Sequence, residues 1–479
     1  MNQHTQLFID GAFMPANGGQ DIPVIDSFTE EPFGTCRTAS AADVDAAVTA
    51  ARRAFEGWSA TPVVDRVAAV RRVAAALRDQ ADALTVAISR EVGMPRKLAA
   101  RIQVGGPISA WDMYADLAAE FEWETRVGHS LVQQVPTGVV ACITPWNYPL
   151  HQITGKVAPA LLAGCTVVLK PSELAPTSAF LLAEAVRQAG LPDGVFNLVH
   201  GTGPEVGEAL VRHPEVDMVS FTGSTRAGRH IAAIASGDIK RIALELGGKS
   251  AALVLPGADL AAAVKVTLAG CMLNSGQTCS ATTRLLVPHR DLEAAEVLAR
   301  DLLAGYRMGD PADGATRVGP LISKAQQRKV QGLIDDALAA GARRVGDDAS
   351  LPTHGFFVAP TVLANVLPDM AIAREEVFGP ALVLMGYDSV DDGIALANST
   401  DYGLAGAVWG PVAPDTLSVA RRLRAGQVDI NGAPFNPAAP FGGFKKSGIG
   451  RENGRFGIDE FLEPVSIQLP PAFIETLST

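Results

Sequence analysis

Cysteine is scarce in this chain and shows no pairing pattern: the five thiols, Cys36, Cys142, Cys165, Cys271 and Cys279, include no CxxC. An odd, scattered set argues against a disulfide framework, and eight histidines without HExxH argue against a zinc centre of usual spacing, so no metal is expected. Long apolar runs are missing too. No stretch approaches the roughly 20 residues of a membrane span, so no membrane partner is expected. Basic residues are outnumbered, 40 Lys and Arg against 51 Asp and Glu, giving a net charge of −11 with no long basic run, which argues against a nucleic-acid surface. The opening MNQHTQLFIDGAF has no basic segment followed by an apolar one, so no signal peptide is expected and the reducing cytoplasm is the expected setting.

What is present is a well-buried globular composition, 48% hydrophobic and 19% charged over 479 residues, long enough for two or three subdomains. Ser40-Ala-Ala-Asp43 reads as a capping box ahead of a helix with Val44, Ala47, Val48, Ala51 and Phe55 on one face. Val67, Val70, Val73 and Leu77 mark a second helix. Strand-length apolar runs follow at 138–144, 165–170, 196–200, 218–222, 242–246 and 250–255, separated by helical segments such as 178–190, which stops at Gly190 and Pro192. Apolar strands alternating with helices predict an α/β fold with a doubly wound parallel sheet. The pattern repeats after Cys279, at 291–303, 371–385 and 391–399, so a second α/β subdomain is expected.

Several stretches carry possible chemistry, each with a plainer structural reading. GTGPEVG (201–207), containing Gly203, is one residue off the dinucleotide fingerprint, a weak match alone, and reads otherwise as a tight turn opening a helix. FTGSTRAG (221–228) places Gly223 and Ser224 between a strand and a helix, where backbone N–H groups favour a phosphate. Lys170 and Glu173 of KPSE end another strand, either gripping ribose hydroxyls or forming a solvated charge pair. ITPWNYP (143–149) holds Asn147 in rigid backbone, as an oxyanion donor or as a turn. Glu245 in LELGGK (244–249) is a desolvated general base or an edge-strand carboxylate facing water. Cys279, in the polar NSGQTCSA (274–281), lacks the apolar company of a packed thiol such as Cys271. Together Asn147, Glu245 and Cys279 supply an oxyanion donor, a base and a nucleophile.

With these motifs, and with GPLIS (319–323), EEVFGP (375–380), ANSTDYGLAG (397–406) and PFGGFKKSGIGRENG (440–454), the chain resembles the NAD(P)-dependent aldehyde dehydrogenases over nearly its whole length. The resemblance implies the hydrolytic, non-CoA-acylating type: Cys279 attacks the aldehyde, Asn147 holds the oxyanion, and Glu245 activates water against the thioester. Lys156 joins this catalytic set. For NAD it implies Thr144, Trp146, Lys170, Ser172, Glu173, Gly203, Phe221, Gly223, Ser224, Leu246, Glu376 and Phe378, with NADP as the alternative that Glu173 disfavours by repelling a 2′-phosphate. The implied substrate pocket has Met113, Tyr148, His151, Gly155, Thr278, Ser280 and Phe441, with Gly155 widening it for a medium-to-large apolar or aromatic aldehyde. The implied architecture is a cofactor domain (1–120 and 142–247), a catalytic domain (248–440), and a bridging β arm with the C-terminal segment (121–141 and 441–479). Arms of this kind pair between subunits, so a homodimer or homotetramer is expected. Set against this reading are a CoA-acylating relative, which generally lacks the glutamate base, a non-catalytic structural relative, and a thiol hydrolase pairing Cys279 with a histidine.

Overall fold

The computed structural model describes residues 2–346, 350–470 and 473; the parts of the expected catalytic domain at 347–349 and of the C-terminal segment at 471–472 and 474–479 lie outside them. The apolar runs become strands close to where the pattern placed them. Val139–Ile143, Thr166–Lys170, Phe196–Leu198, Met218–Thr222 and Arg241–Glu245 pair in parallel as the centre of an eight-stranded sheet. The capping box forms as expected, with Asp43 N–H donating to the Ser40 hydroxyl and Ser40 N–H to the Asp43 carboxylate. Helix Thr177–Ala189 ends on Gly190 in the left-handed region.

Strand order decides where a ligand can sit. Val139–Ile143 is the first of the parallel strands in sequence and lies in the middle. The chain then winds to one side through Thr166–Lys170 and Phe196–Leu198, and to the other through Met218–Thr222 and Arg241–Glu245. The reversal opens a crevice at the carboxyl ends of Val139–Ile143 and Met218–Thr222, where open α/β sheets bind ligands. Trp146 and Asn147 follow the first of these strands; Gly223 and Ser224 follow the second.

A second sheet of seven strands is likewise parallel apart from its edge pair Arg343–Arg344 and Thr361–Ala364. Its first strand in sequence, Ser250–Val254, begins only five residues after Glu245 ends strand Arg241–Glu245 of the first sheet. The link Leu246–Lys249 therefore sets the carboxyl edge of one sheet against the amino edge of the other. Cys279 precedes strand Thr282–Pro288 and Phe378 precedes strand Ala381–Tyr387, so both lie at that amino edge.

The arm is a three-stranded antiparallel sheet of Glu124–Val127, Ser130–Pro136 and Leu462–Gln468. Its expected boundary at 141 is corrected: residues 139–141 are fully buried in the eight-stranded sheet, and the arm ends at Pro136. The apolar run Val139–Ile143 is buried at every position, which an exposed arm strand cannot be. The expected C-terminal segment also contributes Gly448–Ile449 to the eight-stranded sheet, beside Glu245.

Candidate active site

Cys279 is presented by a strained loop. Asn274, Ser275 and Gly276 are consecutively in the left-handed region, at φ 52°, 56° and 77°. Non-glycine residues held there cost roughly 1–3 kcal/mol each and persist only where surroundings over-determine them. The surroundings here are close. A Cβ added at Gly276 would lie 2.0 Å from the Gly379 carbonyl oxygen, so the loop abuts the Phe378–Pro380 turn backbone to backbone. Phe378 itself is at φ 58°, unusual for a bulky residue. Buried Gln277 clamps the loop: its amide oxygen accepts from Ile322 N–H at 2.9 Å and its amide donates to the Val92 carbonyl at 3.3 Å.

The other four cysteines are buried, Cys271 among them, and Cys279 alone is partly exposed. Crowding by protein atoms, followed by the Glu376 and Glu245 carboxylates, pushes its thiol up to about 12, against the lowering effect of the Ser280 and Cys279 backbone N–H groups. The polar loop therefore favours the protonated thiol, with the Glu376 and Glu245 carboxyls acting against ionisation.

Asn147 reaches this loop from the other sheet. Its Nδ2 donates to the Gln277 carbonyl at 3.0 Å, leaving its second amide hydrogen uncommitted, and its own carbonyl accepts from Asn274 Nδ2 at 2.9 Å and Gln103 Nε2 at 3.2 Å. The turn reading and the donor reading of Asn147 are thus compatible. Glu245 is 4% exposed, which removes the water-facing alternative, and neither carboxylate oxygen has a hydrogen-bond partner. Burial first, then the Glu452 carboxylate, raises its pKa well above the usual range, while Lys156 and Arg451 oppose. Lys156, 1% exposed, makes an ion pair with Glu452. Glu452 escaped the sequence reading although it lies in PFGGFKKSGIGRENG; nothing local distinguishes it, because its partners Lys156 and Glu245 come from distant segments.

Along the crevice the residues fit a dinucleotide. Ser224 caps helix Thr225–Ala235, its hydroxyl accepting from Ala227 N–H at 3.2 Å, and the first-turn N–H groups face the carboxyl edge. Gly223 packs on the ring of Phe221, where an added Cβ would lie 2.5 Å away, so the backbone lies flat at the strand end. The Thr144 and Thr222 hydroxyls are buried without partners. Lys170 is not part of a solvated pair: it is 2% exposed, and its ammonium donates to the Pro171 and Gly201 carbonyls, both at 2.7 Å, with Glu173 at 3.8 Å. It ties the GTGPEVG turn to the strand end, while Glu173 stays partly exposed. Gly203 begins a helical turn capped by the Thr202 hydroxyl, as the plainer reading had it. Ser172 accepts from Leu174 N–H at 3.3 Å, and Leu246 packs in the core under Gly228. Glu376 accepts from Gly248 N–H at 3.0 Å, and Trp146 meets Phe378 edge-on at 5.3 Å between ring centroids.

Of the expected pocket residues, Met113, His151 and Gly155 line a cavity of about 560 Å³. Tyr148 and Thr278 share a 2.8 Å hydrogen bond beside Cys279, and Ser280 follows Cys279. Phe441 is not in the cavity wall; it stacks edge-on against Phe435, which is, and which the sequence reading missed in an exposed loop. Arg284 is buried, its guanidinium donating to the carbonyls of Lys249, Leu396 and Ala397.

Two parallel α/β sheets meet edge to edge here, with a thiol, a buried carboxylate and an amide at their junction and a crevice alongside. The model of the aldehyde dehydrogenase family matches residues 13–467, and the chain belongs to that family. A 3-succinoylsemialdehyde-pyridine dehydrogenase of a Pseudomonas species is 44% identical over 97% of this chain and 98% of its own. Among solved structures, aldehyde dehydrogenase C of Pseudomonas syringae, a cysteine-to-alanine mutant complexed with NAD+ and octanal, superimposes with a TM-score of 0.96 at 44% identity, covering 98% of this chain and 97% of that one. A Mycobacterium tuberculosis aldehyde dehydrogenase complexed with NAD+ gives 0.95 at 40% identity, covering 98% and 99%.

Proposed function

We propose that this enzyme oxidises a medium-to-large apolar or aromatic aldehyde to its carboxylic acid with NAD+. The observation that carries the reading is the convergence of Asn147 and Glu245 on the strained Cys279 loop. Sγ of Cys279 adds to the carbonyl carbon, the thiol proton passes to solvent water, which reaches the partly exposed Cys279, and the carbonyl electron pair collects on oxygen. The free Asn147 N–H and the backbone N–H of Cys279 are the donors for that oxyanion; each such donor is worth about 10²–10³ in rate. NAD+, when bound, supplies the hydride acceptor, which leaves the acyl group on Cys279 as a thioester. Glu245 takes a proton from the water that attacks the thioester carbon, and Cys279 departs as the thiol. A carboxyl raised toward the working pH suits that task, because base strength and availability are then balanced.

The eight-stranded sheet serves as the cofactor domain and the seven-stranded sheet as the catalytic domain. Glu173, partly exposed at the strand end, favours NAD+ over NADP+ by charge, and Glu376 beside Gly248 with Phe378 beside Trp146 supports a nicotinamide site there. The cavity beside His151 and Gly155 supports an apolar acyl chain. The arm's outer strand Leu462–Gln468 exposes Val465 and Ile467, each 41%, which supports pairing with a second subunit. No helix among the described residues is long and apolar enough to cross a membrane.

The test is an aldehyde panel with NAD+ and NADP+, without CoA, following NADH and free acid. NADH formation lost in Cys279→Ala supports the reading. Turnover requiring CoA, or favouring acetaldehyde over octanal and benzaldehyde, overturns the corresponding part.

A further inference from the structure

Helix Pro149–Ala163 carries His151, Thr154 and Gly155 at positions i, i+3 and i+4, hence on one face. That face and Met113 of helix Gly106–Ala119 bound the 560 Å³ cavity, with Phe435 on its outer side. The volume falls in the small-molecule range of roughly 300–1,000 Å³. No Lys, Arg, Asp or Glu lines it, so a substrate carrying a free carboxylate finds no counter-charge there. The polar side chains on the helix face differ in one respect. The Thr154 hydroxyl is satisfied, accepting from Trp111 Nε1 at 2.9 Å. The His151 ring stands edge-on to Tyr148 with centroids 6.3 Å apart, and neither ring nitrogen hydrogen-bonds to any of the described residues.

Crowding by protein atoms lowers the His151 pKa, against the opposing charge of Glu452, which favours the neutral imidazole with its one donor and one acceptor. The ring is part-exposed and lines the cavity, so it is an open hydrogen-bonding position for a molecule held there. Its distance from the chemistry follows from Tyr148. The Tyr148 hydroxyl meets Thr278, the neighbour of Cys279, while its ring meets His151. A substrate with its carbonyl carbon on Cys279 must run the length of that ring before it reaches His151.

We propose that His151 is a specificity-determining residue, which hydrogen-bonds a polar but uncharged group carried several bonds from the aldehyde carbon. A pyridyl nitrogen or a ketone oxygen on an otherwise apolar or aromatic chain has the required chemistry. The inference rests on the reading of the site as an aldehyde-oxidising one, and it selects heteroaryl- or keto-bearing aldehydes over simple alkanals.

The experiment compares phenylbutanal with its pyridyl counterpart at mildly alkaline pH with NAD+, in the wild type, His151→Phe and His151→Gln. The readout is the ratio of kcat/KM for pyridyl over phenyl. His151→Phe keeps the ring and removes the hydrogen bond, so the ratio should fall by about tenfold, the size of one such bond, and His151→Gln should restore most of it. An equal ratio in the wild type and His151→Phe overturns the inference. Should His151→Phe fail to fold, the wild type alone decides: pyridyl turnover at least equal to phenyl supports the inference, and any pyridyl penalty overturns it. Oxidation of neither aldehyde defeats the proposed activity instead, so the two failures are distinguishable.

Discussion

The side-chain amide of Asn147 and the backbone carbonyl of Gln277 share a 3.0 Å hydrogen bond across 130 residues of chain. It joins the crevice of one sheet to the nucleophile loop of the other, two residues before Cys279. A donor so anchored is already in place when charge develops, which is the condition for electrostatic stabilisation of an oxyanion.

Replacing that donor therefore separates addition chemistry from thiol access. In Asn147→Ala, kcat for aldehyde oxidation should fall by about 10²–10³. Alkylation of Cys279 by iodoacetamide, which develops no oxyanion, should slow far less. Equal losses in stopped-flow NADH formation and in alkylation rate would mean that Asn147 only supports the loop.

Glu452 links stability to the pH profile. Its ion pair with Lys156 is enclosed, with side chains 13% and 1% exposed, so Glu452→Gln strands a buried ammonium and should cost about 3–5 kcal/mol in denaturant unfolding. The same carboxylate helps to raise Glu245. Removing it lowers the Glu245 pKa, and the acid limb of the kcat profile should move to lower pH. A limb that stays in place while stability drops would uncouple Glu452 from the base.

A second buried carboxyl gives a stability signature away from the site. Glu91 accepts hydrogen bonds from the Thr177 hydroxyl and N–H, yet burial raises it from 4.5 to about 8. The folded state thus holds it protonated where the unfolded chain ionises. Its contribution is present below pH 4.5 and is lost as pH rises toward 8. Glu91→Gln keeps an acceptor without the titration, so its Tm relative to wild type should climb across that window. A constant Tm difference would count against this account.

Much of the architecture was legible because it is periodic. Strand Met218–Thr222 lies where its apolar run predicts, and the Ser40–Asp43 capping box is a local bond between local residues. The boundary at 141 misled because short strands of an arm and of a core look alike until their neighbours are known. Glu452 was unreadable for the same reason: its meaning lies in Lys156, 296 residues away. Phe435 sits in a loop whose sequence pattern says nothing about what it covers.

By itself, the sequence determined the alternation of strands and helices, the family and the identity of the thiol, carboxylate and amide, since these reside in local patterns and motifs. The tertiary structure decided their state. Crowding and the nearby Glu376 and Glu245 carboxyls raise the Cys279 thiol, burial leaves Glu245 without hydrogen-bond partners among the described residues, and Lys170 turns from a surface charge into an internal tie. Desolvation and charge proximity depend on which distant segments meet, and only folding brings them together.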